Sequence, residues 1–264
     1  MASVSWCPLL RSRDLASEKS LSGTTTCRVG MQCILRGARY HYSVTTDLLS
    51  FEGDALAAHG VVVGVDEVGR GALAGPLVVG AVAVRSVAPP PEGLTDSKLL
   101  RPHQREALVD PLHAWAAAYG LGWSSSLEID AWGLRVALAV AATRAIDALG
   151  IGVDFALLDG NFNLLSAPST FTFEGPEVPA LTYASLPHVC LVKGDQRSAT
   201  IAAASVLAKV ARDAYMSEVD PDYPDYGWAG NKGYGAAEHL AALQRLGPTP
   251  LHRTSWRLPV QDAL

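Results

Sequence analysis

Four carboxylates stand where hydrophobic segments stop. Residues 61–71 read VVVGVDEVGRG, a β-branched run that ends in Asp66 and Glu67 and leads into Gly69, Arg70 and Gly71. Asp159 ends FALLD and precedes Gly160, and Asp195 follows HVCLV just before another apolar segment. A carboxylate ending an interior strand is costly unless a cation or hydrogen bonds compensate it. If the three segments are neighbouring strands, their acid-bearing ends converge at one crevice, where open α/β sheets place their sites. Four acids in one pocket repel, and divalent cations are the usual remedy. Oxygen-only ligation suits Mg2+ or Mn2+ rather than zinc. Plainer readings stand beside this one: Asp195 as the cap of a helix beginning near Ser198, and Asp159-Gly160 as a turn. The Asp66-Glu67 pair is harder to explain that way. Asp213 is tempting as a fifth ligand, but along one helix it lies ~27 Å from Asp195 at 1.5 Å per residue. It reads instead as a charge partner for Arg212 or Lys209, or as part of an outer shell.

The glycines suggest a second chemistry. Gly69-x-Gly71 with Gly75 behind it resembles a loose dinucleotide fingerprint, which needs a helix straight after the glycines to meet a pyrophosphate. The next segment is GPLVVGAVAV, a strand. The pattern is therefore a β-hairpin, whose bare backbone suits close approach by a polar ligand. No Ser/His/Asp or Cys/His arrangement supplies a side-chain nucleophile, and His103, His188, His239 and His252 read as surface or packing residues.

The elements that must position these residues alternate strand and helix, which argues an α/β layered fold. Strands are expected at 61–67, 76–86, 119–125, 155–159 and 188–192. Helices are expected at 46–59 (stopped by Gly60), at 99–118 (split by Pro111), at 131–149 (capped by Asp130 and stopped by Gly150), at 198–216 and at 235–246. The Pro-containing stretch 160–187 reads as a loop or insertion.

The chain has 264 residues, 49% of them hydrophobic, enough for a sizeable core. A net charge of −5 advertises no global basic field, although local patches still bind phosphate. No apolar run reaches the ~18 residues of a membrane helix. Cys7, Cys27, Cys33 and Cys190 form no CxxC pair and read as reduced thiols of a cytoplasmic protein. Residues 1–45 are rich in Ser, Thr and Arg and lack periodicity. They are expected to be disordered or absent from the native protein, leaving one catalytic domain over 46–260.

Five stretches carry a resemblance: GVDEVGRGALAGPLVVGAVAV, TDSKLL, LLDGN, LVKGDQRSATIAAASVLAKVARDAYM and NKGYGAAEHLAALQRLGPTPLHRTSW. In this order they resemble bacterial ribonuclease HII, over roughly residues 45–260. The resemblance implies a ribonuclease H-like fold, a mixed five-stranded sheet flanked by helices with a helical C-terminal portion. It implies hydrolysis of the RNA strand of RNA/DNA hybrids and nicking 5′ of single ribonucleotides embedded in duplex DNA, leaving 5′-phosphate and 3′-hydroxyl ends. Carried over by position, Asp66, Glu67, Asp159 and Asp195 are the metal ligands and catalytic acids, for two Mg2+ or Mn2+ ions about 3.5–4 Å apart. Gly69, Arg70 and Gly71 correspond to the reader of the ribose 2′-hydroxyl, the group that separates RNA from DNA. Tyr234 corresponds to a tyrosine that stacks on the sugar at the RNA–DNA junction. Ser97, Lys98, Lys193, Lys209 and Arg253 are candidate phosphate contacts, although such charges are ordinarily just solvated. The implied partners are RNA/DNA hybrid and ribonucleotide-containing DNA, with no membrane, for a monomer. Two alternatives stand beside this: a ribonuclease HIII-like hybrid nuclease, and a hybrid-binding protein without catalysis. The insert at 162–187 departs from a minimal member of the family.

Overall fold

The computed structural model describes residues 34–35, 38–39, 48–167 and 177–259. The chain divides into two units, Met1–Thr45 and Thr46–Leu264. In the first, strands β1 (Ile34–Leu35) and β2 (Ala38–Arg39) pair antiparallel. The rest of the expected extension lies outside the described residues, as does 168–176 of the insert.

The second unit is built on a five-stranded sheet of β3 (Val62–Val68), β4 (Leu77–Val84), β5 (Ala118–Ser124), β6 (Phe155–Asp159) and β7 (His188–Leu191). The order is β5-β4-β3-β6-β7. β3, β4 and β5 form an antiparallel meander, while β6 runs parallel to β3 and β7 parallel to β6. Every residue of β4 is buried, as its continuous apolar run requires of a strand covered on both faces.

Helix α4 (Leu134–Asp147) covers one face, where Ala137, Ala141 and Ala145 meet Val63, Val65, Val79 and Ala81. Helices α5 (Ala199–Val219) and α2 (Pro102–Trp115) cover the other, where Ala202, Ala203, Val206, Leu108 and Leu112 meet Val82. Both main helices ride close to the sheet. A Cβ at Gly64 or Gly80 would overlap the α5 backbone at Thr200 and Ala204, and one at Gly120 or Gly122 the α4 backbone at Ala145 and Ala141. The short helix α1 (Ser50–Leu56) carries the fully buried Glu52. Its Oε1 accepts from the Thr200 N–H at 2.8 Å and from the Ser198 and Thr200 hydroxyls, reinforcing the α5 N-terminus that Ser198 caps. Helices α6 (Trp228–Asn231) and α7 (Ala237–Leu246) form a C-terminal portion, packed through Trp228, Ala242 and Leu243 on Ala74 and Met216.

Several helices differ from expectation. Pro111 does not split α2, which runs unbroken from Pro102 to Trp115. Pro111 and Ala107 are both exposed, so the carbonyl that loses its partner faces water. The expected helix 131–149 is two helices. α3 (Ser126–Trp132) starts under a Ser125/Glu128 capping box, and Gly133, with φ 76°, separates it from α4. Asp130 is therefore no cap. Its carboxylate accepts from the backbone N–H groups and hydroxyls of Thr254 and Ser255, anchoring the C-terminal segment. The first helix is also shorter than expected, and α5 runs three residues further. Among the described residues no helix is long and apolar enough to cross a membrane.

Candidate active site

The parallel strands β3, β6 and β7 deliver their C-terminal ends to one edge of the sheet. Asp66 and Asp159 lie one step beyond the paired residues Val65 and Leu158, and Asp159 pairs with Leu191, four residues before Asp195. Successive strand residues face opposite sides. Asp66 sits opposite Gly80, whose missing side chain would point into α5, so Asp66 faces α5 and Glu67 faces the other way. Both acids lie inside β3, still paired with β4 but past its last pairing with β6, so on opposite faces they can share a site only around the β6 and β7 termini.

The 3-10 turn Gly194–Gln196 brings Asp195 in. The Gly194 N–H donates to Asp159 Oδ1 at 2.6 Å, locking the two acids' loops together. Ser198, not Asp195, caps α5, so the capping alternative for Asp195 does not hold. Asp66 and Asp195 are each only 3% exposed.

The electrostatics record the crowding. Burial, then the charges of Glu67 and Asp159, hold the Asp66 carboxyl well above its usual range, against the Ser205 hydroxyl and Lys98. Burial raises Glu67 too, with Arg70 opposing and Asp159 adding, and the Arg70 guanidinium lies 3.5 Å away. Burial raises Asp195 against the pull of Lys98. Lys98 is the local counter-charge: its Nζ lies 3.0 Å from Asp195 and 3.8 Å from Asp96. These acids outweigh the desolvation of the ammonium and raise its pKa. Among the described residues no three acids or histidines already stand as a ligand cage. The donor set is nonetheless all oxygen, carries uncompensated negative charge, and holds an ammonium as stand-in cation. Those features fit a hard divalent ion.

Beside the acids lies the Gly69–Gly71 turn. It is bonded to the loop carrying Tyr234, because the Leu73 and Ala74 N–H groups both donate to Gly233 O, at 2.8 and 3.2 Å. Lys232 and Gly233 take left-handed conformations in that loop, with φ 53° and 80°. The half-buried Tyr234 ring stands over Arg212 and Lys209, 5.3 and 5.9 Å from its centroid.

The other expected substrate contacts are placed unevenly. Lys98 and Lys193 are exposed. Lys209 pairs with Asp213 at 2.7 Å, and Asp213 also meets Arg105 at 3.7 Å rather than pairing with Arg212. Ser97 is buried with its hydroxyl 2.8 Å from that of Ser205, so it organises the turn instead of facing a ligand. Arg253 is fully buried and donates to the carbonyls of Gly69, Arg70 and Gly75, which rules it out as a phosphate contact.

Sequence reasoning missed the supports. Asp96 accepts from the Lys98 N–H at 2.9 Å and from Gln196 at 3.1 Å, tying the DSK and KGDQ segments together. These bonds and Lys98 outweigh burial and lower the pKa of Asp96. His239 and His252, both buried, are hydrogen-bonded at 3.0 Å beneath the Tyr234 loop. Their reading as packing residues agrees with this burial, while their pairing with each other had no signal in the sequence.

The sequence model described as Ribonuclease HII matches residues 63–258. A relative named Ribonuclease HII from Streptomyces avermitilis is 45% identical over 196 residues, covering 74% of this chain and 76% of the relative. One of the same name from Chromohalobacter salexigens is 44% identical, covering 79% and 92%. Among solved structures, the ribonuclease H2 from Pyrococcus horikoshii superposes with a TM-score of 0.56 at 25% identity, over 75% of this chain and 95% of that one. Bst-RNase HIII in complex with Mn2+ shares the fold, with a TM-score of 0.55 at 19% identity over 78% of this chain and 70% of that one. The mixed sheet, the acids gathered at its edge and a sequence match across nearly all of the second unit lead to one conclusion: the chain belongs to the ribonuclease HII family and is a ribonuclease H, an endonuclease of RNA/DNA hybrids.

Proposed function

We propose that this protein nicks duplex DNA on the 5′ side of a single embedded ribonucleotide, as well as cutting the RNA strand of hybrids, leaving 5′-phosphate and 3′-hydroxyl ends with the help of Mg2+ or Mn2+. The observation that carries this reading is the delivery of Asp66, Glu67, Asp159 and Asp195 to one sheet edge, directly beside the Gly69–Gly71 turn. The four carboxylates would hold the ions. Bound there, divalent ions would neutralise the scissile phosphate, activate the attacking water and stabilise the leaving 3′-oxygen. The residues of the chain do the selecting. The bare turn at Gly69–Gly71 offers main-chain groups to the ribose 2′-hydroxyl, and the Tyr234 ring offers a flat face to the adjoining sugar. Lys98, Lys193 and Lys209 attract the phosphate backbone. Lys98 also balances the acids, its ammonium lying 3.0 Å from Asp195.

The test is cleavage, with Mg2+ or Mn2+, of a duplex containing one ribonucleotide, beside an all-DNA duplex and a fully hybrid one. The expected result is a single nick 5′ of the ribonucleotide, none in all-DNA, and no product in EDTA. Cleavage of the hybrid with no nick at the isolated ribonucleotide would leave the family assignment standing and end this reading.

A further inference from the structure

Arg212 and Arg253 are fully buried, and neither has a carboxylate within ion-pair distance among the described residues. An unpaired guanidinium in the interior is costly, so its donors must be satisfied by other means. Here they meet main-chain carbonyls of the loops that form the proposed ribose reader. Arg253 donates to Gly69 O at 2.7 Å, Arg70 O at 3.0 Å and Gly75 O at 3.1 Å. Arg212 donates to Pro76 O at 2.8 Å, Ala74 O at 3.1 Å and, across to the Tyr234 loop, Lys232 O at 2.9 Å.

A trans peptide is planar, with its carbonyl and the following N–H pointing in opposite directions. Pulling the Gly69 and Arg70 carbonyls inward therefore turns the Arg70 and Gly71 N–H groups outward. Neither N–H has an acceptor among the described residues, whereas those of Ala72, Leu73, Ala74 and Gly75 all do. The space in front of Gly71 is open to an approaching ligand. A Cβ there would meet nothing within 4 Å, while one at Gly69 would overlap Arg212.

We infer that Arg212 and Arg253 are positioning residues for ribose recognition. By gathering the inward carbonyls they present the Arg70 and Gly71 amides as paired donors to the 2′-oxygen, and through Lys232 the Arg212 guanidinium keys the Tyr234 loop to the same turn. This rests on the reading of Gly69–Gly71 as the ribose reader. A lysine keeps the charge but not the fork that bridges several carbonyls.

The experiment uses the full chain and the substitutions Arg253→Lys and Arg212→Lys. Affinity is measured in Ca2+ for a one-ribonucleotide duplex and for the all-DNA duplex of the same sequence, beside the melting temperature and Mn2+ binding. Wild type should prefer the ribonucleotide. Each variant should lose about tenfold or more of that preference, with Mn2+ binding and all-DNA affinity retained. A variant that loses both affinities equally, or keeps the full preference, overturns the inference alone. A wild type with no preference overturns the ribose-reader reading along with it. Should the variants not fold, amide exchange in the wild type decides. The Arg70 and Gly71 N–H groups should exchange fast in the free protein and be protected by the ribonucleotide duplex but not by all-DNA. Protection already present in the free protein overturns the inference.

Discussion

At Gly69 the backbone φ is 86° and a side chain would overlap the Arg212 guanidinium, so the chain itself demands glycine there. At Gly71 φ is not left-handed and a Cβ would meet no atom within 4 Å, so the described chain itself tolerates a side chain there, and an added methyl would obstruct only the proposed approach of a ribose. Gly71→Ala should therefore leave the melting temperature within about 2 °C yet lower cleavage at a single ribonucleotide by on the order of 10²-fold. Undiminished cleavage would show that nothing approaches Gly71 closely. Asp66 makes the opposite trade. Its folded pKa is raised, so its ionised form is disfavoured by folding. Any stability from this group is present below its ordinary pKa of 3.8 and lost as pH rises through the folded value. At neutral pH without metal the charge is a penalty. Asp66→Asn should raise the melting temperature in EDTA by a few degrees and lower cleavage by on the order of 10³-fold. A lowered melting temperature would assign Asp66 a structural bond instead.

Among the elements, α5 does most to assemble the site. Its small-residue face lets it lie against Gly64 and Gly80, its capped N-terminus follows Asp195, and three turns along it Arg212 reaches under the Gly69 turn. The strands are legible in the sequence because β-branched runs bounded by turn residues leave a local pattern, and β6 matches its expected span to the residue. Helix boundaries are less so. Asp130 looks like a cap because an Asp before an apolar run usually is one. Its hydroxyl and amide partners, Thr254 and Ser255, lie more than a hundred residues away and outcompete the local role. The α3–α4 junction depends instead on Gly133, whose φ 76° and ψ 157° are tolerated only by glycine although its side-chain space is open. Gly133→Ala should cost about 1–3 kcal/mol by backbone strain alone, measurable by denaturant unfolding. A neutral result would mean that the two helices can merge into the single one their sequence suggests.

Across the whole molecule, the C-terminal portion is locked internally by a buried polar chain, and it meets the segment before β4 through the backbone bridge between His252 and Ala74. The Thr249 N–H donates to His252 Nδ1 at 2.9 Å, leaving the His252 Nε2 proton to bridge to His239 Nε2. The His239 Nδ1 proton in turn reaches Tyr234 O at 2.8 Å. Each ring uses one nitrogen as donor and one as acceptor, so protonating either removes a bond. Burial and the neighbouring His239 lower the His252 pKa to about 4, and burial lowers that of His239. A depressed folded pKa contributes stability that is full above the ordinary value of 6.5 and is lost as pH falls toward 4. His252 should account for about 3 kcal/mol of lost stability across that interval. Unfolding free energies measured from pH 7 to 4 should show the slope, and His252→Asn should flatten it. An unchanged slope in the variant would assign the acid sensitivity elsewhere.

The chemical types at Asp66, Glu67, Asp159 and Asp195 are local facts, and acids at the ends of apolar runs announce themselves without a fold. So does the hairpin at Gly69–Gly71, because the strand behind the glycines is written in the adjacent residues. What the sequence could not decide is which buried groups hold those residues in place. Arg212 and Arg253 reach their carbonyls across 136 and 184 positions of chain. Every residue carries a carbonyl, so such a pairing leaves no signature in side-chain type. It exists only once the sheet, α5 and the C-terminal segment have closed around the same turn.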